Sequence, residues 1–492
     1  MAKHARSRSE EQVERLRRNR ETMLEVIAGN SPDGGPSTQT SGTKLELERF
    51  VHDRASGQPV PFEGSRGVER ILAELARSYP GGEEVREGHL VAVGGILLID
   101  GQDEPVALRA SVGAGAQLAL EVGPVTSLAA ITDALAVFSR QFHLACRAIG
   151  RDCELVAQGL DPAVSSPSDI VLVPRSRYVL MNTYLARTGY YARDMMRCSA
   201  STRVRLPMAE EEVAAEDYHL LTALAPVLAF LTDNTLSVRG SDPTGTPRMA
   251  RQLVWDGVDP TRCGFVPGSL SERFGFAAYE RWVEGVRPIL FSSDDGVTFS
   301  CGIDTCEQVM CERELSAAEA RHLLSMAFPY VRWDGTLELR VADALSPRMA
   351  VAYVALVRGL LATDLTRRAL RDLLMPGATD EDAIADAWRD LRAHGWDARV
   401  YGRPIAQVAD ELSAIASRGT DDRDERRMLE PLTQLWDVRM VPRDLLERSW
   451  RKAQGPSSVE LAVELYGEGA VIPYDELAGE PPAGSTSVMR FD

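Results

Sequence analysis

The sequence predicts an α+β fold, and three observations carry that reading. Strand-like runs occur at 44–50 (KLELERF), 89–98, 106–120 and 336–343 (TLELRVAD), the first and last with apolar and polar residues alternating. Apolar residues recur at helical spacing over 10–28, 67–78, 127–150, 218–231 and 316–328. From about 347 to 452 the pattern is almost wholly helical.

Taken in order, residues 1–28 form a charged arm with seven Lys/Arg in the first 20 positions. Val13, Leu16, Met23, Leu24 and Ile27 give it helical spacing, and a surface helix or frayed arm is expected. Residues 30–43 (NSPDGGPSTQTSGT) read as a linker. Val68, Ile71, Leu72 and Leu75 put one apolar face on the helix at 67–78. Leu128, Ile131, Leu135, Phe138 and Phe142 do so at 127–150. The helix at 218–231 follows an acidic run at 210–217. Ser316, with Glu319 three residues on, marks a capped start for the helix at 316–328. Further helices are expected at 380–393, 405–417 and 424–436. Gly, Pro and Ser enrich 453–492, which reads as a flexible tail. The expected organisation is an arm and linker (1–43), a main domain (44–360), a helical C-terminal region (361–452) and the tail (453–492).

Composition narrows the function. The 492 residues are 44% hydrophobic, enough for a sizeable core. A net charge of −17 argues against broad binding to nucleic acid or anionic membranes. No apolar run was found of the roughly 18 residues needed to span a bilayer. The first residues carry charge with no apolar stretch behind them, unlike a secretory signal. Seven cysteines spread over the chain fit a reducing cytoplasm.

The chemistry concentrates in two acidic strands some 290 residues apart. Glu46 and Glu48 share one strand face and Leu45 and Leu47 the other; Glu338 and Arg340 stand likewise against Leu337 and Leu339. Carboxylates on an open sheet face can hold divalent cations, and those cations a nucleotide's phosphates. An ordinary solvated strand face is the alternative. Other motifs carry less. Cys301, Cys306 and Cys311 lack zinc spacing. Cys198 and Cys263 have no neighbouring base in sequence, and His52 reads as a surface residue. Gly113, Gly115 and Gly123 form no phosphate loop.

Five segments resemble a family. They are 178–206 (YVLMNTYLARTGYYARDMMRCSASTRVRL), 254–264 (VWDGVDPTRCG), 328–332 (FPYVR) and the two acidic strands. In this order, over roughly 42–360, the chain is similar to the glutamate–cysteine ligases of the plant and actinobacterial (ergothioneine-pathway) type. The resemblance implies a glutamine-synthetase-like catalytic domain, in which an antiparallel sheet forms a bowl with packed helices. It implies ATP and Mg2+, amino acid and amine substrates, and a gamma-glutamyl phosphate intermediate attacked by an amine. It also implies metal ligands at Glu46, Glu48 and Glu338, phosphate contact at Arg340, and catalytic roles for Arg340 and for a matched arginine, Arg262.

Several positions depart from the family pattern. The Gly of Gly-x-Glu-x-Glu is Lys44. Two acids of a Glu-Pro-Gly-Gly-x-x-Glu segment fall on Gly113 and Ala119, and Glu121 replaces one only if the register shifts by two residues. Gln-Val-Asn-Leu-Asp becomes Arg203-Val204-Arg205-Leu206-Pro207. If all four positions line the site, local charge moves by about four units, and at an effective dielectric near 20 one pair at about 4 Å is worth roughly 4 kcal/mol. One fewer metal ion is expected. Arg203 and Arg205 would neutralise phosphate or grip a substrate carboxylate. Alternatively the site has lost catalysis and binds a ligand or partner. Glu121 beside Glu46 and Glu48 would favour a ligase; arginines crossing to those acids would fill the metal site with protein charge and count against a ligase.

Overall fold

The computed structural model describes residues 8–30, 42–294, 296–375, 379–452 and 486–489. Most of the expected linker and of the expected tail lies outside these residues. The centre is a ten-stranded antiparallel sheet, numbered here along the chain: β1 (Thr43–Asp53), β2 (Glu83–Arg86), β3 (His89–Ile99), β4 (Val106–Val112), β5 (Leu118–Val125), β6 (Cys153–Val156), β7 (Ser201–Pro207), β8 (Val331–Trp333), β9 (Thr336–Asp343) and β10 (Thr486–Met489). The order is β8-β9-β7-β1-β5-β4-β3-β10, with β2 beside β3 and β6 beside the end of β1. With its packed helices this is the expected α+β architecture.

The alternation in sequence becomes a two-faced sheet. Leu45, Leu47, Leu118, Leu120, Val204, Leu337 and Leu339 are buried on the rear face. Each such side chain stabilises the fold by roughly 1.5–3 kcal/mol. Three helices pack against these strands: Leu128–Ala148, Glu211–Leu231 and Pro347–Leu360. A one-residue slip of β1 would turn Glu46 and Glu48 into that core, so burial itself sets the register. Trp333 is fully buried, its ring 4.5 Å from that of Tyr218, whose hydroxyl donates to the Val331 carbonyl. This anchor holds β8 so that Arg332, between Val331 and Trp333, takes the other face.

Several elements differ from expectation. The N-terminal helix, Glu10–Ile27, is docked, not frayed. Leu16, Met23, Val26 and Ile27 are buried, and Asn19 donates to the Met310 and Arg313 carbonyls while accepting from the Leu315 amide. The run 106–120 is the hairpin of β4 and β5, turned at Gly113, whose N–H donates to the Gln117 carbonyl. The acidic run at 210–217 supplies the first turns of helix Glu211–Leu231. That helix is also long and apolar enough to cross a bilayer, against the expectation, but every residue from Leu220 to Leu231 is buried in this fold. The capping box at Ser316 and Glu319 is present, though its helix ends at Leu324. The helix expected at 424–436 divides into Arg423–Arg427 and Glu430–Asp437. Residues 486–489, in the expected tail, form β10 against β3.

Candidate active site

Cross-strand pairing draws the charged residues into two rows on the open face. One row runs Arg203, Glu46, Glu121, Arg109 across β7, β1, β5 and β4. The other runs Lys44, Arg205, Glu338, Arg332 across β1, β7, β9 and β8. The second is assembled partly by the hairpin at Asp334-Gly335, where Gly335 has φ +87° and sets Arg332 opposite Glu338. The rows lie two residues apart along β1 and β7, as period two requires.

Guanidiniums engage every acid at the centre. Arg203 donates from Nη1 to Glu46 (2.8 Å), from Nη2 to Glu48 (2.7 Å) and from Nε to Ser201 Oγ (3.0 Å). Ser201 donates in turn to Glu48 (2.6 Å). Arg205 lies 2.9 Å from Glu338, 3.2 Å from Asp334 and 3.6 Å from Glu46. Arg332 reaches Glu338 (2.8 Å) and Asp334 (3.1 Å), and Arg340 reaches Glu338 (2.7 Å). Glu338, fully buried, thus meets three arginines. Burial pushes its carboxyl up, but Arg205, Arg332 and Arg340 outweigh burial and hold it well below the usual carboxylate range. Burial also opposes Glu46, which Arg203 and Arg205 hold below that range. Arg340 is lowered to about 10 by burial, with Arg203 and Arg332 adding repulsion and Glu338 opposing them.

These residues do not fit the expected magnesium ligation. Among the described residues, no three carboxylate, imidazole or thiol groups converge on a point that one cation could occupy. Arginine keeps its proton at any ordinary pH, so a metal ion would have to displace guanidiniums from Glu46, Glu48 and Glu338. Glu121 stands opposite Glu46, but Arg109 holds it at 2.9 Å. Ala119 stands opposite Glu48 and brings no acid. The grip on phosphate or substrate expected of Arg203 meets a similar obstacle, because each of its nitrogens already donates within the sheet.

Two sequence expectations are corrected outright. Arg262 is fully buried, donating to Asp259 (2.8 Å), the Met326 carbonyl (2.9 Å) and the Tyr184 hydroxyl (3.3 Å). It ties three segments together, and three of its five N–H donors are spent within the protein. His52 is fully buried, not on the surface, with Nε2 3.1 Å from Asp161. Asp343, the last residue of the second acidic motif, accepts from the Asn234 amide and the Thr235 hydroxyl in the interior.

Sequence reasoning missed Arg332, Asp334 and Arg177. Arg332 lay inside a quoted motif, and the Asp-Gly signal of a hairpin was the clue to its partner. Arg177 is half-buried on helix Ser176–Leu185 and has no ion pair or hydrogen bond among the described residues. Burial lowers its pKa, as do Arg175 and Arg332, while Tyr178 acts the other way.

The open face of the sheet thus interleaves carboxylates and guanidiniums. The chain belongs to glutamate-cysteine ligase family 2, whose model matches residues 44–464. It is 24% identical over 307 residues to the chloroplastic glutamate–cysteine ligase A of Oryza sativa subsp. indica, covering 60% of this chain and 61% of that protein. It is 29% identical over 212 residues to the chloroplastic glutamate–cysteine ligase of Arabidopsis thaliana, covering 42% and 40%. The matches thus span between two fifths and three fifths of these relatives. A crystal structure of the complex between the prokaryotic ubiquitin-like protein Pup and its ligase PafA aligns with a TM-score of 0.43 at 11% identity, covering 89% of this chain and 77% of that chain.

Proposed function

We propose that this protein is an ATP-dependent carboxylate–amine ligase that joins the gamma-carboxylate of glutamate, or of a similar amino acid, to an amine. The observation that carries the reading is the meeting of Glu46, Glu48, Glu338 and Arg340 on one sheet face in a chain of this family. The carboxylate attacks the gamma-phosphorus of ATP, the bond to the bridging oxygen breaks, and ADP leaves. The amine then attacks the acyl carbon of the resulting acyl phosphate. Inorganic phosphate leaves, and the nitrogen sheds its proton to give the amide. Positioning and charge neutralisation carry such chemistry. Arg332 and Arg340 are the groups suited to meet charge developing on the transferred phosphoryl group. The expected magnesium ligands Glu46, Glu48 and Glu338 are engaged by arginine. The cytoplasm is the compartment we propose, in keeping with seven cysteines in no disulfide.

The test is turnover of the purified chain with ATP, glutamate and a panel of amines that includes cysteine, following phosphate release and product mass. Phosphate released together with a gamma-glutamyl amide supports the reading. No phosphate with any pair sinks it. A second reading has its own support. Four carboxylates (Glu46, Glu48, Asp334, Glu338) are matched by four guanidiniums (Arg203, Arg205, Arg332, Arg340), a balance suited to a non-catalytic protein that binds a ligand or partner. It predicts ligand binding with no ADP formed.

A further inference from the structure

The row Lys44–Arg205–Glu338–Arg332 is not self-neutralising. It holds three cations and one acid. With Asp334 and Arg340 included, the cations still exceed the acids. Their donors are only partly used. Arg340 spends Nη1 on Glu338, and its other nitrogens have no hydrogen-bond partner among the described residues. Arg332 is 7% exposed, and its Nε has no acceptor. Arg177 and Lys44 have no ion pair among the described residues. At the Lys44 end, a cavity of about 340 Å3 is lined by Lys44, Arg205, Arg321 and Asp334.

A buried surplus of planar, forked donors calls for an oxyanion, and phosphate matches that geometry in two-point contact. Carboxylate shares the chemistry but brings less charge. We infer that this row binds the phosphates of a nucleotide directly, through Lys44, Arg332 and Arg340, with no divalent cation between protein and phosphate. The inference rests on the ligase reading for its nucleotide and adds the manner of binding. The guanidiniums hold the places around Glu46, Glu48 and Glu338 that a metal ion would need, and Arg332 and Arg340 offer the unspent positive charge.

The test is calorimetric titration of the full chain with ATP, first in EDTA and then in excess magnesium. It is repeated with Lys44→Gln and Lys44→Glu, which break no ion pair seen in the structure and whose folding is checked by thermal melting. The expected result is binding in EDTA, changed less than about three-fold by magnesium and weakened about ten-fold by each variant. Binding only when magnesium is present overturns the inference and leaves the ligase reading standing. Absence of ATP binding in both buffers overturns both. Glutamate is titrated in parallel. If glutamate binding weakens in the variants while ATP binding does not, the row serves a substrate carboxylate and the inference fails.

Discussion

The two rows on the open face share strands β1 and β7 but differ in charge. Arg203–Glu46–Glu121–Arg109 balances two cations with two acids, each acid paired with an arginine. Lys44–Arg205–Glu338–Arg332 sets one buried acid among three cations, with Arg340 alongside. The first row is closed: its interactions are satisfied within the protein. The second keeps unspent donors around a fully buried carboxylate. One sheet thus carries a structural row and a row suited to a ligand, and the sign sequence across the strands makes the difference.

The comparison breaks most severely at Glu338. Glu338→Gln leaves Arg205, Arg332 and Arg340 without their shared acid, and a loss of about 3–5 kcal/mol is expected in urea denaturation. A loss under 1 kcal/mol would mean the cluster is far more hydrated than its burial indicates. The same carboxyl governs acid stability. Glu338 and Glu46 titrate below their ordinary value of 4.5 in the folded chain. Their contribution is therefore present above about pH 4.5 and is lost as pH falls toward the folded values. Melting temperatures from pH 7 to 3 should fall steeply on this acid side and less steeply in Glu338→Gln. Equal slopes would remove Glu338 as a cause.

A double change sharpens the contrast from the other direction. Arg203→Gln with Arg205→Asn releases Glu46 and Glu48 from their guanidiniums. ATP affinity should then gain a dependence on magnesium of about ten-fold or more, read by titration with and without EDTA, because freed carboxylates become oxygen ligands. Unchanged magnesium dependence would show that arginine does not keep the metal out. The smallest effect is expected in the closed row. Arg109→Gln loses partly exposed pairs with Glu84 and Glu121. A stability change under about 1 kcal/mol by thermal melting is predicted, with a larger loss placing this row in the energetic centre of the sheet.

Much of this was legible in the chain. Alternation at 44–50 and 336–343 identified both acidic strands and the shared face of Glu46 and Glu48, because a strand's period is local geometry. Helical spacing located most helices, and the Ser316–Glu319 box marked a true helix start, because capping spans three residues. The departures Arg203 and Arg205 were visible as such. Their partners were decided by tertiary structure. Arg203 meets Glu46 and Glu48 some 155 residues away, and Arg205 meets Glu338 more than 130 residues on, through strand order that no local period encodes. Register put Glu121 beside Glu46 and gave it to Arg109. Burial took Arg262 and His52 out of reach of any ligand. Residue types and periods are properties of a few neighbouring positions; which charge neutralises which depends on the packing of strands far apart in sequence, and only the folded sheet brings them within a few ångströms.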